Sequence, residues 1–291
     1  MHSYLRSIGF SDITKEKMDA IFYEMMRTPD SLEVALDSEN SEFVEIRYEI
    51  ARNIGIAMRG TYDDEDNFHM DYYFPYCIGS DFSTNAEVEI IKQSDRECYQ
   101  GLCDDLRLGV NLVFFLQNMM EFLQKRDREK KYHIYTGARL SGLSTEGMIL
   151  LPIKQSEKVA SAARTNNERD HLMAAAREGD EDAIEHLTLE DMDTYSMISR
   201  RIGKEDILSI VTTYFMPYGI ESDKYSILGN IMAYRRYYNH ISMEEVVVLT
   251  VESNDLTFDV CINRKDLLGE PEVGRRFKGT VWMQGSVEIQ S

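Results

Sequence analysis

Four apolar positions near the start of the chain, Met18, Ile21, Phe22 and Met25, recur at i, i+3, i+4 and i+7 behind Thr14. That spacing puts one apolar stripe on a helix, with Thr14 as its N-cap and Thr28-Pro29-Asp30 as its stop. From Phe43 to Ile50 the period drops to two, Val44, Ile46, Tyr48 and Ile50 alternating with Glu45, Arg47 and Glu49, as in a strand with one wet face. Ile54–Tyr62 and Phe68–Tyr76 read as two more strands around the acidic turn Asp63–Asn67, and Val88–Lys92 as a short fourth. Leu106–Arg128 carries the strongest helical pattern, apolar nearly all round from Val110 to Leu116 and amphipathic beyond. Short strands are expected around Tyr132–Gly137 and Gly147–Ile153. Residues 1–153 therefore read as an α+β domain, an N-terminal antiparallel sheet packed on helices.

Residues 154–203 change character. Alanines at 160, 162, 163 and 174–176 raise helix propensity, Gly179 suits a helix C-terminus, and Asp180 and Thr188 suit N-caps, which predicts a helical hairpin. From residue 204 strand patterns return: Ile207–Met216, a long Tyr225–Tyr238 containing Gly229, Glu245–Glu252, Leu256–Asn263, and Gly274–Trp282 continuing to Gly285–Ile289. Ser253-Asn254-Asp255 makes a hairpin turn, and a glycine inside a long first strand permits the bend a small closed barrel needs. The fold class expected is α+β throughout: sheet and helices, a helical hairpin, and at 204–291 a small β-barrel of OB-like pattern.

Charge narrows the partners. The formal net charge is -19, and 16 basic against 27 acidic side chains in residues 1–153 carry most of it. Residues 204–291 are also acidic, 9 against 13. Nucleic acid and anionic membranes are bound through clustered cations, so both are disfavoured. The apolar run Val110–Leu123 is too short and too interrupted to span a bilayer, and the N-terminus lacks a signal-peptide pattern. A cytoplasmic protein with free thiols at Cys77, Cys98, Cys103 and Cys261 is the expectation.

Two groups of residues carry candidate chemistry. Tyr234, Arg235, Arg236 and Tyr237, with Arg275, Arg276 and Trp282, combine aromatic and basic side chains as single-strand-binding barrels do. The acidic local charge favours instead aromatics in the core and arginines paired with carboxylates. His69, Asp104, Asp105 and Arg107 form a possible polar site for a small substrate. No metal or cofactor is implied: Cys98-x4-Cys103 has no second ligand pair, and Asp63–Asp66 lacks the spacing of a calcium loop. Gly137, Gly142 and Gly147 precede no Gly-Lys-Ser/Thr, and Gly142-Leu-Ser144-Thr-Glu146 departs from a nucleophile elbow at its last position.

Several segments resemble an uncharacterised protein family of Clostridia-type Firmicutes, a domain of unknown function. They are Met1–Phe10, Phe68–Tyr76, Cys103–Val110, Leu189–Arg201, Tyr214–Gly219 and Asp266–Pro271. The resemblance spans essentially the whole chain and implies no activity, cofactor or catalytic residue. The expected order of helices and strands also resembles bacterial secretion chaperones, which bind polypeptide without turnover. The leading expectation is a protein-interaction or adaptor protein whose partner is another protein. The alternatives are single-strand nucleic-acid binding through the C-terminal barrel and an enzyme acting at the polar site.

Overall fold

The computed structural model describes residues 1–93, 97–108, 110–126, 130, 133–153, 180, 208 and 211–289. The α+β expectation is corrected: the described chain is mostly strand. A 3-10 turn at Ser3–Ile8 and helix α1 (Lys15–Arg27) lead into a four-stranded antiparallel sheet, β1 (Ser31–Leu36), β2 (Glu42–Ala51), β3 (Ile54–Tyr62) and β4 (Phe68–Cys77). Thr14 caps α1 by accepting from the backbone N–H of Lys17, and Met18, Ile21 and Met25 are buried, as the spacing requires.

The rest of the described chain forms one eleven-stranded sheet. Its first part holds β5 (Thr84–Lys92), β6 (Tyr99–Cys103), β7 (Leu112–Leu116), β8 (Ile134–Ser144) and β9 (Gly147–Leu150). Its second part holds β10 (Tyr214–Pro217), β11 (Lys224–Tyr238), β12 (Glu245–Ser253), β13 (Leu256–Asn263), β14 (Leu267–Leu268) and β15 (Arg276–Val287).

The long helix expected over Leu106–Arg128 is not present. A 3-10 turn at Leu106–Leu108, strand β7 and the short helix α2 (Met119–Lys125) replace it. The cause is burial. Leu112, Phe114 and Leu116 face one core while Phe115 faces another, so both sides of the segment are apolar and the run shows no period. The hairpin expected over 154–203 lies outside the described residues, apart from the single position Asp180.

The sheet closes on itself. Strands β5, β6 and β7 form an antiparallel meander; β7 pairs parallel with β15, β15 antiparallel with β8, and β8 antiparallel with β5. Strands β11, β12 and β13 form a second meander; β13 pairs parallel with β8, and β15 antiparallel with β11. The outer circuit has eight strands, and the β8–β15 ribbon divides it into two five-strand circuits of identical order and sense. The barrel expected within 204–291 is therefore closed by a strand from Ile134–Ser144, not by C-terminal strands alone. Closure removes most free edges, and the ribbon belongs to both circuits at once.

The β12–β13 turn matches its sequence signal. Asn254 and Asp255 both have positive φ, 50° and 60°, as a two-residue hairpin demands. At Gly229 a Cβ would lie 2.5 Å from Val251 Cγ1 and 2.6 Å from the Glu252 carbonyl oxygen, so the backbone of β12 occupies the space of a side chain. One apolar core fills the circuits, with Val88, Phe114, Ile227, Leu249 and Phe277 among its members. A second core, including Leu5, Met18, Ile46, Met58, Val246 and Trp282, glues α1 and the four-stranded sheet onto the outside of the barrel.

Candidate functional site

The aromatic-basic residues do not share one surface. Tyr234, Arg235 and Arg236 are exposed and Tyr237 is half-buried, all on the end of β11 beyond its pairing with β15. Arg235 lies 3.2 Å from Asp259, and Arg236 lies 3.3 Å from Glu245 and 3.0 Å from Glu270. Arg275 pairs with Glu272 at 2.7 Å. Arg276 is buried and donates to the carbonyls of Leu151 and Val211. Trp282 is paired with Lys224 at the opposite end of β11 and is buried against His2, Tyr4 and Phe115. Its indole N–H donates to Asp223 at 2.9 Å, and burial raises that carboxyl's pKa.

The second group is only partly assembled. Asp105 is buried beside β5, accepting from Thr84 Oγ1 at 2.6 Å and from Arg107 at 2.5 Å. Arg107 also donates to the carbonyls of Asp255 and Ser83, so it ties the first meander to the β12–β13 turn. Burial works against the Asp105 charge, but these donors prevail and hold its pKa below the usual carboxylate value. Asp104 is exposed and lines a shallow cavity with Asp105, Arg107 and Thr84. His69 lies on the other sheet, exposed, 2.8 Å from Asp63. The four residues do not converge.

Sequence reasoning missed the most concentrated chemistry, at the seam between the four-stranded sheet and the barrel. Arg59 is fully buried on β3. It donates to Glu45 at 2.5 Å, to the Tyr72 hydroxyl at 3.0 Å and to the Gln117 carbonyl at 3.1 Å, and its guanidinium lies 4.6 Å from the Phe74 ring centroid. Arg47 donates to the same carboxylate at 2.6 Å and to the same carbonyl at 2.7 Å. Burial alone would raise the Glu45 pKa, but Arg59 and then Arg47 outweigh it and hold the value low. Gln117 extends the network to the Cys77 carbonyl and to Gln284 on β15. Glu33, across from Glu45 on β1, also lies close enough to feel both guanidiniums. The available signal was Arg59 itself, a lone cation in the otherwise apolar run Ile54–Gly60.

Two cavities border these elements. One of about 570 Å³ lies between α1, the N-terminal segment and the turn after β11, lined by Phe10, Ile21, Tyr48, Ile241 and Glu244 among others. Glu244 is already saturated by Ser11, Asn263 and Lys265. Another, of about 420 Å³, opens at the seam beside Arg47, Gln117 and Arg139. Among the described residues no group of three or more His, Cys, Asp or Glu is placed to hold a metal ion, and no helix is long and apolar enough to cross a membrane. Cys77, Cys103 and Cys261 are buried free thiols and Cys98 is half-buried. Burial pushes the Cys103 thiol up to about 12.

Among the described residues, fold and site together define a mostly β structure in which two strand circuits share one ribbon and a buried charge network locks a second sheet against them. The chain belongs to the family described as a domain of unknown function from E. rectale (DUF3881), whose profile matches residues 5–285. This is the Clostridia-type family of unknown function that the sequence resembles. No curated protein and no solved structure matches the chain.

Proposed function

We propose that this protein is an adaptor that binds another polypeptide without turning it over, and that the end of β11 takes up the partner as an added strand. One observation carries the reading. From Ala233 to Tyr238, past a bulge at Met232, β11 pairs with β12 on one side, while its pairing with β15 ends at Asn230, which leaves the other edge without a backbone partner among the described residues. Unpaired N–H and C=O groups in a strand edge are a template for an extended chain. Met232, Tyr234 and Tyr238 are exposed along it, and Ile241 and Met243 continue the apolar surface around the turn. Arg235 and Arg236 are the charged residues of that edge: Arg235 is tied to the buried Asp259, whereas the pairs of Arg236 with Glu245 and Glu270 are solvent-accessible and exchangeable. The partner that fits is an extended segment alternating apolar and acidic residues.

Selection from a random peptide library on the full chain tests this. The expected outcome is enrichment of such segments, with binding abolished when alternate backbone amides of the winning peptide are N-methylated. Enriched peptides that bind equally well after N-methylation, or an edge that binds a single-stranded oligonucleotide in preference to any peptide, would refute it.

A further inference from the structure

We infer that the cavity at the seam is a binding site for a small organic carboxylate, with Arg139 as its anchor. Arg139, on β8, is half-buried, and its Nε is a buried nitrogen with no hydrogen-bond partner. Neither a hydrogen bond nor an ion pair engages its guanidinium among the described residues. Every other described arginine that is half-buried or buried has one or both. In a chain with 51 acidic side chains, an unmatched guanidinium in a concave site is unusual, because burying a charge is costly unless it is paired.

The surroundings specify the ligand. The Arg139 guanidinium lies over the Phe82 ring, 4.9 Å from its centroid. Arg47 lines the same cavity, and among the described residues its Nη1 has no hydrogen-bond partner while its other nitrogens hold Glu45 and Gln117. Ile78, Phe82, Val287 and Ile289 supply an apolar wall. The volume of about 420 Å³ suits a single ring or a short acyl chain. Glu121 and Glu288 also line it: Glu121 is engaged by Lys125 and Asn118, and Glu288 is exposed. A monocarboxylate with an apolar body matches the two guanidiniums and this wall.

The probes are benzoate and hexanoate, with benzamide and hexanamide as neutral controls, titrated against the full chain by ligand-observed NMR. The carboxylates should saturate one site and the amides should not. Arg139→Gln should weaken carboxylate binding about 10- to 100-fold, the range for a hydrogen bond to a charged group. Glu288→Gln, which changes only an exposed side chain, should tighten it severalfold, and this readout decides the matter if Arg139→Gln does not fold. Equal binding of acids and amides, no saturation, or an affinity unchanged in either variant overturns the proposal.

Discussion

Replacing Arg59 by methionine tests whether the seam network holds the two sheets together. Methionine keeps an unbranched apolar stem but is two atoms shorter, and it deletes the charge, the guanidinium's contacts with Phe74 and Phe115, and four hydrogen bonds, to Glu45, Tyr72, Gln117 and the Met119 sulfur. Breaking a buried ion pair by removing one partner costs about 3–5 kcal/mol. Here the groups left behind keep company: Glu45 retains Arg47, the Gln117 carbonyl retains Arg47, and Tyr72 still donates to the Glu97 carbonyl. The expected loss for Arg59→Met is therefore at the low end, about 3 kcal/mol. Glu45→Met strands two guanidiniums, one of them fully buried, and should cost about 5 kcal/mol. The double variant leaves only Arg47, whose side chain is 18% exposed and can turn to water, so its cost should fall at least about 2 kcal/mol below the sum. Urea unfolding followed by far-UV circular dichroism and by emission of Trp282, the only tryptophan, provides the assay, the two probes being required to coincide. A loss for Arg59→Met below about 1 kcal/mol, no more than one ordinary hydrogen bond, or strict additivity in the double variant would refute the reasoning.

Acid should weaken the fold in a defined window. Glu45, Glu97, Asp105 and Glu244 all have native pKa values held below their ordinary ones, burial being outweighed by their donors. Their contribution is present above the ordinary values, 4.5 for the glutamates and 3.8 for Asp105, and lost as pH falls below them, whereas Asp223, whose pKa is raised, is relieved by protonation; unfolding midpoints between pH 7 and pH 3 check the net fall. Gly229→Ala forces a methyl against the β12 backbone and should cost about 1–3 kcal/mol in the same urea assay. Residues 204–291 expressed alone lack β8 and with it two strand ladders, so they should show no cooperative unfolding transition, whereas the full chain does.

What the sequence determined by itself is what depends on neighbours along the chain. Helix α1, with its cap and stripe, was readable because a single face repeats at 3.6 residues, and β2, β3, β12 and β13 because one face or a two-residue turn marks them. Family membership was legible too, in segments from end to end. The tertiary structure decided the rest. Val110–Leu116 has no period because cores lie on both sides, so only packing could make part of it the strand β7. The partner of β13 comes from more than a hundred residues earlier in the chain, and no local pattern encodes a parallel pairing at that distance. The same limit applied to chemistry. Arg139 and Arg47 are ordinary surface-type residues in the sequence, and only the fold brings them to one cavity, while Tyr234 and Trp282, grouped in the sequence as one candidate set, are carried to opposite ends of β11 by its pairing with β15. Side chains cluster according to which strands close the circuit, and that closure is a property of the whole chain.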